Sequence, residues 1–203
     1  MENSFFDTDQ ILECTKPIEF TYEQLLKCSV DSYNWKWVII GFHNALQNCM
    51  VHTLRDSTGT NILKENLRAL QYKSILKGEF GNIDEKLNYF LDIYEDIKSD
   101  KMLRFTMGKK YIPQMNDDAN VKELNNIRNF FIHYIPQGYR CTVEEILDMC
   151  FTAFRIIRFL IYESHNFLLG ETEREETKEI LIKIESLLND YSNRVDKLFI
   201  KQY

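Results

Sequence analysis

The chain has 203 residues, 44% of them hydrophobic and 13% aromatic, enough to bury one sizeable core or that core plus a small appendage. Seven glycines and three prolines are too few for a turn-rich all-β sandwich, and the abundance of Leu, Ile, Glu, Lys and Asn suits long helices joined by short connections. A net charge of -6 excludes a protein that coats nucleic acid non-specifically, since phosphate neutralisation drives that binding, but it leaves room for a local basic groove. The expected fold is an all-α antiparallel helical bundle with an additional C-terminal helix.

Residues 1–20 show no hydrophobic period and read as an N-terminal extension to a single helical domain over 21–203. Thr21 is the expected N-cap of a short helix carrying Tyr22, Leu25, Leu26 and Cys28. From Ser32 to about Arg55, Trp35, Val38, Ile39, Phe42, Ala45, Leu46, Cys49 and Met50 gather on one side at helical spacing, which predicts a core helix. Its other side carries Ile40, Asn44, Gln47 and Val51, a mixed apolar and amide surface that predicts a second packed face. Ser57-Thr58-Gly59-Thr60 is a turn, and a helical pattern resumes from Asn61 to Ser74 until Gly78 and Gly81. Ile83 to Lys98 reads as a helix with Leu87, Phe90, Leu91 and Tyr94 inward, and Lys98 to Pro113 as a short helix or loop.

Asn116-Asp117-Asp118 supplies a polar start for the next helix, which Pro136 and Gly138 end. Thr142 followed by Glu145 is a capping box opening a long helix to about Leu169, closed by Gly170. The last helix, 172–201, repeats Leu181, Ile184, Leu188, Tyr191, Val195 and Leu198 at steps of three and four. That seam suits packing on the same subunit's bundle, with a dimeric coiled coil as the alternative.

The helix from Val121 to Tyr134 carries the chemistry. Leu124, Ile127, Phe130, Phe131 and Tyr134 share one apolar arc, and Lys122, Asn125, Arg128, Asn129 and His133 fill the remaining one, interrupted by Ile132. Asn129 and His133 are one turn apart, and Arg128 sits about 140° from His133, within reach of a long side chain. A histidine titrates near neutral pH and can move a proton, while a guanidinium can grip phosphate oxygens with two prongs. Near the negative end of the helix dipole, a protonated imidazole is favoured, as a general acid requires. By composition alone the same arc also fits an ordinary solvated helix face.

Arg128-Asn129-xxx-His133, late in a helix with an aromatic after the His and a proline soon after, resembles the R-N-x-x-x-H signature of the HEPN superfamily (higher eukaryotes and prokaryotes nucleotide-binding). The likeness in architecture covers Ser32 to Leu169. It implies a bundle that forms a homodimer with two motifs facing across the interface, making one composite ribonuclease site. On that resemblance Arg128 stabilises the pentavalent phosphate, His133 transfers a proton during attack by the ribose 2′-OH, and Asn129 orients both. No metal and no cofactor are implied, and Asn44 and Gln47 are expected to line the dimeric cleft. Family members of this size resemble toxins or phage-defence effectors, restrained by an antitoxin or other regulatory protein partner. The alternative within the family is a catalytically silent dimerisation or nucleotide-sensing module.

Lys98 to Tyr111 concentrates Lys98, Lys101, Arg104, Lys109 and Lys110 against Asp100, with Phe105 and Tyr111 interleaved, and is either an RNA-contacting stretch or a solvated loop. With Asn125 it supplies the candidate RNA-binding residues. His43 and His52 lack the spacing of a metal pair and read as structural, His43 being the better auxiliary candidate beside Asn44 and Gln47. His165 lacks the context of a hydrolase nucleophile and also reads as structural. Five cysteines without CxxC spacing suggest neither a disulfide framework nor a zinc site. The longest apolar run, Trp37 to Phe42, is far short of the roughly 20 residues that cross a bilayer, and the amino terminus lacks a secretory pattern. A cytoplasmic protein without a membrane partner is therefore expected.

Overall fold

A computed structural model describes residues 7–78, 86–104, 107–133 and 136–200. Among them are seven α-helices and no strand, the one β-type contact being an isolated bridge between Leu63 and Leu87. The helices are α1 (Gln10–Lys27), α2 (Asn34–Leu54), α3 (Glu65–Leu76), α4 (Phe90–Ile97), α5 (Asp117–Ile132), α6 (Val143–Tyr162) and α7 (Glu171–Ile200). No described helix is long and apolar enough to cross a membrane.

The first helix starts at Gln10, its N-cap lying twelve residues before the expected Thr21, because Asp9 caps it by accepting from the N–H groups of Ile11 and Leu12, both at 2.8 Å. Thr21 lies inside α1 with its hydroxyl donating to Pro17 O at 2.7 Å. Residues 10–20 therefore contribute to the bundle, with Cys14 and Ile18 in the core. Pro17 would ordinarily interrupt such a helix, since it has no N–H for the Glu13 carbonyl one turn back. Asn48 of α2 supplies the missing donor, its Nδ2 lying 2.7 Å from Glu13 O. Near the crossing point of the two helices Gly41 faces Thr21, and a Cβ there would collide with the threonine hydroxyl.

The central helix is α2, which touches α1, α4, α5 and α6. Val38, Ile39, Leu46, Cys49 and Met50 are fully buried on it, as the sequence period predicts. The second face is also packed in part: Ile40 is buried, while Asn44, Gln47 and Val51 are half-buried. Paired contacts run in opposite order along the helices, Asn48 with Glu13 and Gly41 with Thr21, His43 with Asn125 and Lys36 with Phe131, Asn120 with Thr152 and Asp117 with Arg155, so α1/α2, α2/α5 and α5/α6 are antiparallel neighbours.

Two other boundaries move. The helix expected from Ile83 begins at Phe90, Ile83 itself and Gly81 lying outside the described residues, and Leu87 is exposed instead of inward. The long helix opened by the Thr142–Glu145 capping box is present, but it ends at Tyr162 and not near Leu169. There Ser164 turns back to donate its hydroxyl to Leu160 O at 2.6 Å, and His165 adopts a left-handed φ of 62°. Gly170 instead precedes α7. Leu181, Ile184 and Leu188 of that helix are buried in the common core, so its seam packs on its own bundle; the side chain of Leu198 lies outside the described residues.

Candidate functional site

The carboxylate of Asp117, at the start of α5, is wholly buried. It accepts from the Tyr111 hydroxyl at 2.5 Å and the Gln114 N–H at 2.7 Å, and it forms an ion pair with Arg155 of α6. A charge out of water must be matched by partners of this kind. The sequence marks Asp117 only as a polar helix start; its partners from another helix leave no local signal.

Along α5, Val121, Leu124 and Ile127 face the core, and Phe130 and Phe131 are half-buried, their rings meeting Tyr139 at 5.1 and 5.7 Å. Tyr134 lies outside the described residues. The opposite arc carries the motif. Arg128 Nη1 donates to Asn129 Oδ1 at 3.0 Å, while Arg128 Nε is out of solvent with no partner among the described residues. His133 is the C-cap, its N–H donating to Asn129 O at 3.0 Å, and its side chain is exposed. The helix thus ends at the motif histidine itself, before Pro136. Lys122 is exposed on the same arc.

Asn125, one turn before Asn129, is tied to α2. His43 Nε2 lies 3.2 Å from Asn125 Oδ1, and the imidazole stacks on Phe90 with ring centroids 4.1 Å apart. With the amide oxygen as acceptor, Nε2 carries the proton. Burial pushes the His43 pKa down to about 4, partly opposed by the bond to Asn125 and reinforced by the Arg128 charge. A neutral imidazole is therefore a fixed donor here, not a proton carrier at neutral pH.

The C-terminal end of α5 lies beside the start of α2. Lys36 Nζ sits 5.5 Å from the centre of the Phe131 ring, and Tyr33, Trp37 and Ile132 are exposed nearby in sequence on the two helices at 60%, 39% and 48%. Asn44 and Gln47, further along α2, are half-buried.

The basic stretch lies elsewhere. Lys101 pairs with Asp96 at 2.5 Å and Lys110 with Asp100 at 2.6 Å, while Lys109 is exposed. The Arg104 side chain and Phe105 lie outside the described residues. The stretch leads into the N-terminal end of α5, whereas Arg128 and His133 lie about 17 and about 24 Å further along the axis of this 16-residue helix. Within one subunit the two do not share a cleft. His52 lies tilted against Phe167 with ring centroids 4.4 Å apart, and His165 is an exposed turn residue. All five cysteines are free, four of them buried. Among the described residues no cluster of His, Cys, Asp or Glu could hold a metal ion.

Compared with protein-family models, curated proteins and solved structures, the chain matches none of them.

Proposed function

We propose that the chain is a HEPN-type endoribonuclease that acts as a homodimer, with Arg128, Asn129 and His133 of two subunits forming one site. The observation that carries this reading is the display of the motif: Arg128, bonded to Asn129, and the exposed His133 share the C-terminal end of a helix whose other face is anchored in the core. The adjoining uncovered apolar groups on α2 and α5 suit a protein contact more than water.

In the proposed reaction the ribose 2′-OH attacks the adjacent phosphorus. The new P–O2′ bond forms as the P–O5′ bond breaks, giving a 2′,3′-cyclic phosphate and a 5′-hydroxyl. The 2′ oxygen must lose a proton and the 5′ oxygen must gain one. Each chain offers one motif histidine, so a twofold pair supplies both a base and an acid. Arg128, held by Asn129, would neutralise charge on the phosphorane oxygens, and Asn125, Asn44 and Gln47 would line the cleft as amide contacts to RNA. The mechanism as written requires no metal.

The test is incubation of purified protein with RNA in the presence of a chelator, with mass analysis of fragment ends and sedimentation of the protein. Fragments ending in 2′,3′-cyclic phosphate from a dimer are expected. A dimer that binds RNA without cutting it would instead identify a silent HEPN-like module, and a monomer that does neither would sink both readings.

A further inference from the structure

Lys36 stands in the first turn of α2, which holds no acidic residue. Its ammonium lies 5.5 Å from the centre of the Tyr33 ring, 5.3 Å from that of Trp37 and 5.5 Å from that of Phe131 on α5. Among the described residues its one hydrogen bond is donated to the Tyr33 hydroxyl, at 3.3 Å, and it forms no ion pair. The nearest acidic residue in sequence, Asp31, turns its carboxylate to the Tyr33 N–H at 2.9 Å. Lys101 and Lys110, by contrast, are paired with Asp96 and Asp100. The rings hold the Lys36 ammonium without neutralising it, so the partner it lacks is an anion.

Phe131 connects this cation to the motif. Its ring packs edge-on against Phe130 and Tyr139 at 5.8 and 5.7 Å, and it follows Arg128 by three residues, which makes the two side chains neighbours on α5. Lys36 and Arg128 thus both adjoin one fixed ring. The uncovered groups at this end of the bundle divide by chemistry. Ile132 is aliphatic and suits the subunit contact, whereas Tyr33 and Trp37 border a lysine, a residue depleted from protein interfaces. Exposed rings beside an unpaired cation suit an unpaired nucleotide, the ring stacking on its base and the cation meeting its phosphate. A duplex offers such rings no free base face.

We propose that Tyr33, Lys36 and Trp37 form the substrate grip of the α5 motif. They hold a nucleotide of single-stranded RNA next to the one that Arg128 contacts, with Trp37 stacked on its base and Lys36, steadied by Tyr33, on its phosphate. The proposal rests on the reading of the motif as an RNA site. It makes that site selective for unpaired RNA and assigns the contact to the start of α2, not to the basic stretch.

The test is binding of a 2′-O-methyl RNA octamer, which lacks the attacking hydroxyl, to the full chain, compared with a hairpin duplex and an abasic strand of equal length. The single strand should bind about tenfold more tightly than either and quench tryptophan emission. Trp37→Leu, which keeps apolar bulk but no stacking face, should lose about tenfold in affinity together with the quenching, while Trp37→Phe stays within about threefold. Lys36→Gln should flatten the dependence of log affinity on log salt by about 0.7, the effect of one phosphate contact. Thermal melts of the variants should match the parent. No binding of the single strand, equal binding of all three ligands, or parent affinity in both Trp37→Leu and Lys36→Gln overturns the proposal. So does dissociation of a parent dimer by these substitutions, which would make the surface a subunit interface. Unmodified RNA cut by both variants with the parent KM removes the grip and leaves the ribonuclease; RNA held through Trp37 and Lys36 but never cut removes the ribonuclease and leaves the grip.

Discussion

His43 Nε2 and Asn125 Oδ1 lie 3.2 Å apart, joining the central helix to the motif helix through a bond between residues 82 positions apart. The imidazole is 1% exposed and its other ring nitrogen has no protein partner among the described residues, so it accepts a proton only at a cost in stability.

The unfolded chain binds that proton near pH 6.5, and the folded chain only near pH 4. A depressed folded value gives stability that is present above the unfolded pKa and lost as the pH falls toward the folded one. Urea unfolding at pH 5 should therefore show about 2 kcal/mol less stability from this group than at pH 7. His43→Gln should remove most of that difference, with the remainder including His52, whose pKa burial also lowers. An unchanged pH slope in the variant would exclude His43 as the source.

Asp117 binds four partners at the other end of the motif helix: Tyr111, Gln114, Thr152 and Arg155. Asp117→Ala leaves the Arg155 charge and the Tyr111 hydroxyl without their acceptor and should cost about 3–5 kcal/mol in chemical unfolding. A loss below about 1 kcal/mol would show that water replaces the carboxylate.

Asn48 completes α1 where Pro17 cannot. Asn48→Ala should cost about 1 kcal/mol by freeing the Glu13 carbonyl. In a Pro17→Ala background the alanine N–H can serve that carbonyl, so the same substitution should cost less. A double-mutant cycle reads the difference, and strict additivity would dissociate the two residues.

On the proposed function, His133→Ala should lower RNA cleavage by about a hundredfold or more. Its effect on stability should stay within about 0.5 kcal/mol, because the side chain is exposed. Arg128→Ala should behave alike in cleavage and cost about 1 kcal/mol in unfolding, being half-buried. Folded variants that cut RNA at the parent rate would remove both residues from the chemistry.

Periodic segments were readable from the sequence. The core stripe of α2, the Thr142–Glu145 capping box and the Leu181-Ile184-Leu188 seam depend on residues close in the chain, and the structure realises each. The start of α1 was not readable, because Pro17 breaks the pattern and its remedy, Asn48, comes from another helix. The end of α6 was hidden for a similar reason: the Ser164 hydroxyl and the His165 backbone stop the helix before the glycine that looks like its terminator. At the candidate site, the shared arc of Arg128, Asn129 and His133 follows from helical geometry alone. The support given by His43 to Asn125 and the burial of Asp117 arise from tertiary contacts, which local spacing does not encode.

The packing of α7 on α1 bears on how the molecule is made. Tyr191 of α7 donates its hydroxyl to Leu25 O of α1 at 2.9 Å and meets the Trp35 ring edge-on at 5.1 Å. A growing chain leaving the ribosome would hold the apolar flank of its first helices uncovered until Tyr191, 166 residues after Leu25, had emerged, which leaves the nascent chain exposed to aggregation and in need of chaperone cover over that interval.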